Sequence, residues 1–282
     1  MTAPNAEMRT QWNDRSGPQW VAMQPRLDAQ LAPVNDAILD GLPIAPDARV
    51  LDVGCGTGAL SLAVASRVPG GRVVGADLSA PMLAHARQRA AAQGLVNISF
   101  VEADAQVADL DGPFDLVASR FGVMFFDDPA AAFGNLLRAT RPGGALRFVC
   151  WQPAARNPWV TVPLAAAEAV LGPQVLPPPD APGPFAFGDD AKVRRVLAEA
   201  GWGEVRVEPW EHPLALGGGG SLDDAAEFLT RIGPTARAMQ DAPEELRGAV
   251  KLRLRDALAP HLRADGPVLD GAMWRVSARR DG

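Results

Sequence analysis

The sequence predicts an α/β protein with a parallel sheet, and three observations predict it. From residue 49 to residue 149, short β-branched or apolar runs alternate with Ala- and Leu-rich stretches of helical period. The first of these runs passes without interruption into a glycine loop and then a helical stretch. The chain's 282 residues, 48% of them hydrophobic and 21% charged, supply enough apolar material for a substantial core.

Taken in order, residues 11–42 carry Trp12, Trp20 and an apolar stripe of Leu27, Leu31, Val34 and Ile38, and read as a helical preface in which Pro33 starts a second helix. Residues 49–53, 72–76, 98–102, 114–119 and 145–150 read as five strands, and residues 59–68, 80–93 and 129–140 as the helices between them. The last helix places Phe133, Leu136, Leu137 and Thr140 on one face, and Arg141-Pro142-Gly143-Gly144 then reads as a stop and a turn. A helix is expected over 157–171 despite Pro163, then a Pro-rich loop at 177–184 and a helix over 189–200. Residues 205–210 and 269–279 alternate with period two and read as an antiparallel pair at a sheet edge. Between them, Gly217-Gly218-Gly219-Gly220 precedes helical periods at Ala225, Phe228, Leu229, Ile232 and at Val250, Leu254, Ala257, Leu258, read as an inserted helical lid on a flexible hinge. The resulting organisation is a single domain, 1–282: a helical cover over 1–42, a core over 43–216 and 267–282, and a lid over 217–266. The lid, over 221–263, and the N-terminal segment around Trp12 and Trp20 are expected together to control access to the site; the alternative is that the lid helices form a rigid wall or a homodimer interface.

Composition narrows the function classes. A formal net charge of −6 disfavours nucleic acid and anionic lipid as partners. Cys55 and Cys150 lack CxxC spacing, so neither a disulfide framework nor a cysteine-rich zinc site is expected, and a reducing cytoplasm is the expected location. Residues 1–13 lack the apolar core of a signal peptide, and no apolar run of about 20 residues supports membrane insertion. With no tyrosine in the chain, His85, His212 and His261 are the groups that titrate near neutral pH.

The strongest local signal is Val50-Leu51-Asp52-Val53-Gly54-Cys55-Gly56-Thr57-Gly58-Ala59. Gly54, Gly56 and Gly58 let a ligand approach bare backbone at the end of the first strand, but read as G-x-G-x-x-A they equally fit a dinucleotide fingerprint. Asp52 favours a different ligand, because a carboxylate at the loop mouth repels a pyrophosphate and attracts the ammonium and sulfonium of S-adenosylmethionine (SAM). Asp77, 19 residues beyond Gly58, is placed to accept both ribose hydroxyls. Asp104, followed by Ala105, ends the third strand, where it can accept from the adenine amine while Leu78 and Met82 sandwich the ring. The bland readings are that Asp52 and Asp77 cap the helices that follow them, that Cys55 fills space, and that His85 is a packed or solvated side chain. Asp127-Asp128 before Pro129 reads as a helix start rather than a metal site. His212, beside Glu211 at the end of the sixth strand, is a candidate general base.

Five ordered motifs, the glycine loop, Gly75-Ala76-Asp77-Leu78-Ser79, Glu102-Ala103-Asp104-Ala105, Phe114-Asp115-Leu116-Val117 and Arg141-Pro142-Gly143-Gly144, together resemble the class I SAM-dependent methyltransferases. The likeness is to the small-molecule branch similar to the ubiquinone and menaquinone biosynthesis enzymes. It implies a Rossmann-like, doubly wound seven-stranded sheet of order 3-2-1-4-5-7-6 with strand seven antiparallel. It also implies that Trp12-Asn13 and Gln19-Trp20-Val21 close over the cofactor, and that Ser119, Arg120 and Phe121 face the transferring methyl group. Arg120 is therefore a second catalytic candidate, while Phe125 and Phe126 divide between pocket wall and packing. The function this implies is methyl transfer from SAM to a small, partly hydrophobic acceptor by in-line displacement. The rival classes are an NAD-dependent oxidoreductase, opposed by Asp52 and by the lack of a Tyr-x-x-x-Lys dyad, and a non-catalytic SAM-binding protein.

Overall fold

The structure is a computed structural model that describes residues 3–175, 177–240 and 242–282. Its strands are β1 (Arg49–Val53), β2 (Arg72–Asp77), β3 (Ile98–Glu102), β4 (Phe114–Arg120), β5 (Thr140–Trp151), β6 (Gly203–Ala215), β7 (Leu262–Arg263) and β8 (Gly266–Arg279). They form one sheet of order β3-β2-β1-β4-β5-β8-β6, with the two-residue β7 paired to β8. Neighbours from β3 to β5 run parallel, and β8 runs antiparallel to β5 and β6. This is the expected order once β7 is counted, so the antiparallel strand is the eighth rather than the seventh. Val50, Leu51, Val53, Leu116, Val117 and Val149 are buried, as a sheet covered on both faces requires.

The helices are α1 (Ala6–Asp14), α2 (Ser16–Ala22), α3 (Gln24–Leu39), α4 (Ala59–Ala65), α5 (Ala80–Ala92), α6 (Pro129–Ala139), α7 (Pro158–Leu171), α8 (Asp190–Glu199), α9 (Leu222–Leu229), α10 (Pro234–Gln240) and α11 (Glu244–Leu258). Strand order reverses between β1, which continues to β2 and β3, and β4, which continues to β5. Their carboxyl ends therefore part around a crevice, the place where open α/β sheets bind ligands.

Four local expectations are corrected. Pro33 does not start a helix: α3 runs through it, because burial of Leu27, Leu31, Val34 and Ile38 outweighs one missing hydrogen bond, and Pro25 takes the first-turn position instead. Arg141-Pro142-Gly143-Gly144 is a bulge inside β5, where pairing with β4 jumps from Phe114–Thr140 to Leu116–Ala145. Strand β6 extends to Ala215, beyond the alternating segment, because an edge strand tolerates Pro209 and Pro213. The glycine run is no loose hinge: the Gly217 N–H donates to Gln30 Oε1 at 2.7 Å, its carbonyl accepts from Arg26 Nε at 2.9 Å, and the Gly220 N–H donates to the Asp265 carbonyl at 2.9 Å.

Candidate functional site

The crevice opens into a cavity of about 1600 Å³, larger than the roughly 300 to 1,000 Å³ typical of small-molecule sites. Its floor is the glycine loop. Gly54 has φ +65° and lies so close to the start of the β4 loop that a Cβ would stand 2.6 Å from Gly122 Cα, so only glycine fits there. Gly56 faces the cavity, whereas Gly58 begins α4 and packs under it, its Cβ position 3.2 Å from the Phe100 ring.

Asp52, Asp77 and Asp104 line this one cavity from the ends of β1, β2 and β3, together with Leu78, Met82 and Ala105. None of the three caps a helix. Asp52 Oδ2 accepts from the Ser61 hydroxyl at 2.5 Å, and Oδ1 is buried without a hydrogen-bond partner. Burial pushes the Asp52 carboxyl up to about 7, the Ser61 hydrogen bond and the Arg120 charge opposing the rise. Asp77 accepts the Gly56 N–H on Oδ2 and the Ser79 N–H on Oδ1, both at 2.8 Å. Burial raises its pKa as well, against the hydrogen bonds from Ser79, Gly56 and Leu78. Asp104 Oδ1 accepts from Asn5 Nδ2 at 2.8 Å and from the Gln106 N–H at 3.0 Å. Burial drives the Cys55 thiol well up, which leaves it without nucleophilic character at neutral pH.

The N-terminal helices roof the cavity. Asn13 Nδ2 donates to the Leu78 carbonyl at 2.9 Å, the Ala80 N–H donates to Asn13 Oδ1 at 2.9 Å, and the Ser79 hydroxyl donates to the Trp12 carbonyl at 2.8 Å. At the far end, the Asn5 N–H donates to Asp127 Oδ2 while the Asp127 N–H donates to Asn5 Oδ1, a reciprocal clasp beside Asp104. Asp128 caps α6 through the Ala131 N–H. Trp20 meets Trp12 edge-on at 5.7 Å, and Trp12 meets Phe125 edge-on at 5.3 Å. A second aromatic wall stacks Phe121 on Trp151 at 4.4 Å and Trp151 against Trp159 at 4.7 Å. Phe121 sits at φ +64°, a strained backbone for a bulky residue, held by its N–H to the Val149 carbonyl. The Pro-rich loop and α10 close the remaining side through Pro178, Phe185 and Met239.

Arg120 lines the cavity with a side chain only 9% exposed. Its Nη1 donates to Asn35 Oδ1 at 3.2 Å, and its Nη2 stands 3.6 Å from Asp28 Oδ1. Asp28 Oδ2 in turn accepts from Arg89 and from Gln24, each at 2.6 Å. Burial lowers the Arg120 pKa, and the charges of Asp28 and Asp52 oppose that.

Besides Gly58, two sequence candidates lie off the cavity lining. Ser119 is fully buried, its hydroxyl donating to the Val53 carbonyl at 2.7 Å and accepting the Gly122 N–H, so it fastens β4 to β1 and does not face the cavity. His212 does not end a strand: it sits inside β6 opposite Gly271, stacked on Trp210 at 5.3 Å and away from the cavity lining. Asn5, Asp28, Asn35 and Trp159 were not singled out as site residues. Of these, Trp159 alone has a signal in the sequence, as a tryptophan within the segment read as a helix over 157–171, where it serves either core or pocket wall.

Known proteins place this geometry. Residues 50–144 match the family described as "Methyltransferase domain". The chain is 48% identical over 110 residues to a demethylmenaquinone methyltransferase of Thermus thermophilus, a match covering 39% of this chain and 50% of that protein. It is 34% identical over 184 residues to the nocamycin O-methyltransferase of Saccharothrix syringae, covering 62% of this chain and 66% of that one. The chain thus spans about half the length of several curated relatives it matches. Phosphoethanolamine N-methyltransferase 2 of Haemonchus contortus, solved with SAM, superimposes with a TM-score of 0.53 at 20% identity over 88% of this chain and 52% of that one, a likeness of fold. Residues 50–144, with the glycine loop and the three acids at the strand ends, match a methyltransferase domain, and over them the chain is similar to the class I SAM-dependent methyltransferases.

Proposed function

We propose that this protein transfers the methyl group of SAM to a small, partly hydrophobic acceptor. One observation carries the reading: Asp52, Asp77 and Asp104 converge from successive strand ends on a single cavity floored by a glycine loop. The residues present fit the cofactor. Asp77 offers its carboxylate to a ribose diol, Asp104 an acceptor to the adenine amine, and Leu78, Met82 and Ala105 apolar contact to the ring. The buried, unpartnered Asp52 Oδ1 suits a cationic group and disfavours a pyrophosphate.

When bound, the sulfonium supplies an electrophilic methyl group with a neutral thioether as its leaving group. The chain's own part is to hold the acceptor in line and keep water out. Trp12, Trp20 and Phe125 on one side, and Phe121, Trp151 and Trp159 on the other, provide apolar walls whose ring faces also favour a cation. Among the described residues no histidine lines the cavity, and its titratable lining includes carboxylates, Asp52 with its carboxyl raised to about 7 among them. A thiolate, carboxylate or enolate acceptor needs no base, whereas an alcohol or a protonated amine would have to lose its proton to one of these carboxylates. The chain's similarity to relatives named for demethylmenaquinone and nocamycin methylation supports an organic small-molecule acceptor.

Incubation with SAM carrying a trideuterated methyl group and a fractionated metabolite extract tests this by mass spectrometry. The expected outcome is S-adenosylhomocysteine formed in step with one labelled product. Binding of SAM without acceptor-dependent turnover across the extract would instead make the protein a non-catalytic SAM binder.

A further inference from the structure

The cavity lining is sorted by charge. On the side built by α9 to α11 and the turns between them, Arg231, Arg237, Arg247 and Lys251 stand against Glu227 and Glu244, an excess of two positive charges among the described residues. The rest of the lining has the opposite balance, with five carboxylates, Asp52, Asp77 and Asp104 among them, against Arg15 and Arg120. In a chain of net charge −6, a basic edge of this kind is a local feature and not the average of the surface. Glu227 engages two of the cations, accepting from Arg231 Nε at 2.7 Å and pairing with Lys251. Arg247 is less well provided: Glu244 Oε2 lies 3.0 Å from its Nε but off the line of the N–H, so this buried donor makes no hydrogen bond. The cations border apolar surface. Gly233, at φ +85°, sets the turn between α9 and α10 against α7, where a Cβ would stand 3.3 Å from the Trp159 ring, and Ile232 and Met239 line the cavity nearby.

We infer that the methyl acceptor is an organic anion, a carboxylate or phosphate group on an apolar body, with Arg237 and Arg247 holding the anion and Trp159 and Met239 the body. A basic edge beside an aromatic wall is complementary to such a molecule, just as the acidic strand ends are complementary to a cation. An anion at the edge gives the Arg247 Nε donor a partner and relieves the crowding of like charges. A neutral or cationic molecule of the same size does neither. The inference rests on the reading given under Proposed function and narrows its acceptor. Arg237 and Arg247 accordingly set which acceptor enters and take no part in seating the cofactor, whose carboxylates belong to the strand ends.

The trideuterated SAM assay tests this once the metabolite extract has been split on an anion-exchange column. Labelled product is expected from the retained fraction at a yield at least about tenfold above that from the flow-through. A yield from the flow-through equal to or above that from the retained fraction would overturn the anionic acceptor and leave methyl transfer standing. No labelled product from either fraction would bring down the methyl-transfer reading, and this inference with it. Alkaline phosphatase treatment of the retained fraction separates the two sources of the anion: lost product assigns a phosphate, surviving product a carboxylate. Arg247→Gln is expected to raise the amount of retained fraction needed for half-maximal rate at least about tenfold, with the SAM Kd from calorimetry within about twofold of wild type. A merely structural change would move both. Should Arg247→Gln not fold, Arg237→Glu decides, since this side chain is exposed on α10, and its charge reversal is expected to have an effect at least as large. An unchanged half-maximal amount in the folded variant would overturn the assignment.

Discussion

Asp77 illustrates how much one side chain is asked to do. Its carboxylate already orders the glycine loop through the Gly56 N–H and the start of α5 through the Ser79 N–H, and the residue lines the cavity. Asp77→Ala is expected to weaken SAM binding by about 2 to 3 kcal/mol, roughly 30- to 150-fold, with circular dichroism unchanged. An unaltered Kd in a folded variant would remove Asp77 from the site. Asp52 makes a pH-dependent prediction. With its carboxyl raised to about 7 in the free protein, protonation at lower pH abolishes its attraction for a cationic ligand. SAM affinity should therefore climb about tenfold per pH unit up to about 7 and then level off, while Asp52→Asn should give a nearly flat profile. The acids were legible in the sequence because each follows an apolar run at a fixed offset from a loop. Ser119 and His212 were not, because orientation decides them: one fastens two strands, and the other lies within an edge strand that runs three residues past it. Asn5, in a left-handed conformation at the head of α1, reaches Asp104 across 99 residues of sequence, and no local pattern announces such a contact.

Among the elements, the roof and the inserted helices behave differently. Helices α1 and α2 bury few of their own residues and are held by hydrogen bonds to Leu78, Ser79 and Ala80. The inserted helix α9 instead buries Ala225, Ala226, Phe228 and Leu229, and the glycine run before it is pinned to α3. Amide hydrogen exchange with and without S-adenosylhomocysteine should accordingly show protection gained over residues 6–22 and little change over 222–232. Equal gains in both segments would mean that the inserted helices close with the roof. Hydrophobic periodicity found most helices and strands here, since burial of one face sets the period. It missed the course of α3 through Pro33 and the full length of β6, where packing and edge exposure override local preference. Helix α10 also escaped, because it is a short element of seven residues with only Thr235 and Met239 buried.

At the scale of the whole molecule, the sheet's point of reversal concentrates buried acidic groups that folding alone does not reward. Because the folded-state pKa of Asp52 lies above its unfolded value, the native state holds the extra proton between about pH 4 and pH 7. Stability of the free protein should therefore fall as pH rises through that window and level above about 7, and Asp52→Asn should lose most of the slope in urea midpoints. A wild-type midpoint independent of pH there would mean that the carboxyl is not desolvated. The strand order was legible as a family resemblance, and the carboxyl-end crevice follows from that order. The chamber beyond it was not, since loops 177–186 and α10 build its far wall from residues distant in sequence. The central claim is that this crevice is made for a sulfonium nucleoside, and titration of the wild-type chain with SAM, S-adenosylhomocysteine and NAD by calorimetry tests it most directly. Saturable one-to-one binding of SAM and S-adenosylhomocysteine, with NAD at least about a hundredfold weaker, is the expected result. NAD binding as tight as that of SAM, or no binding of SAM at all, would contradict it.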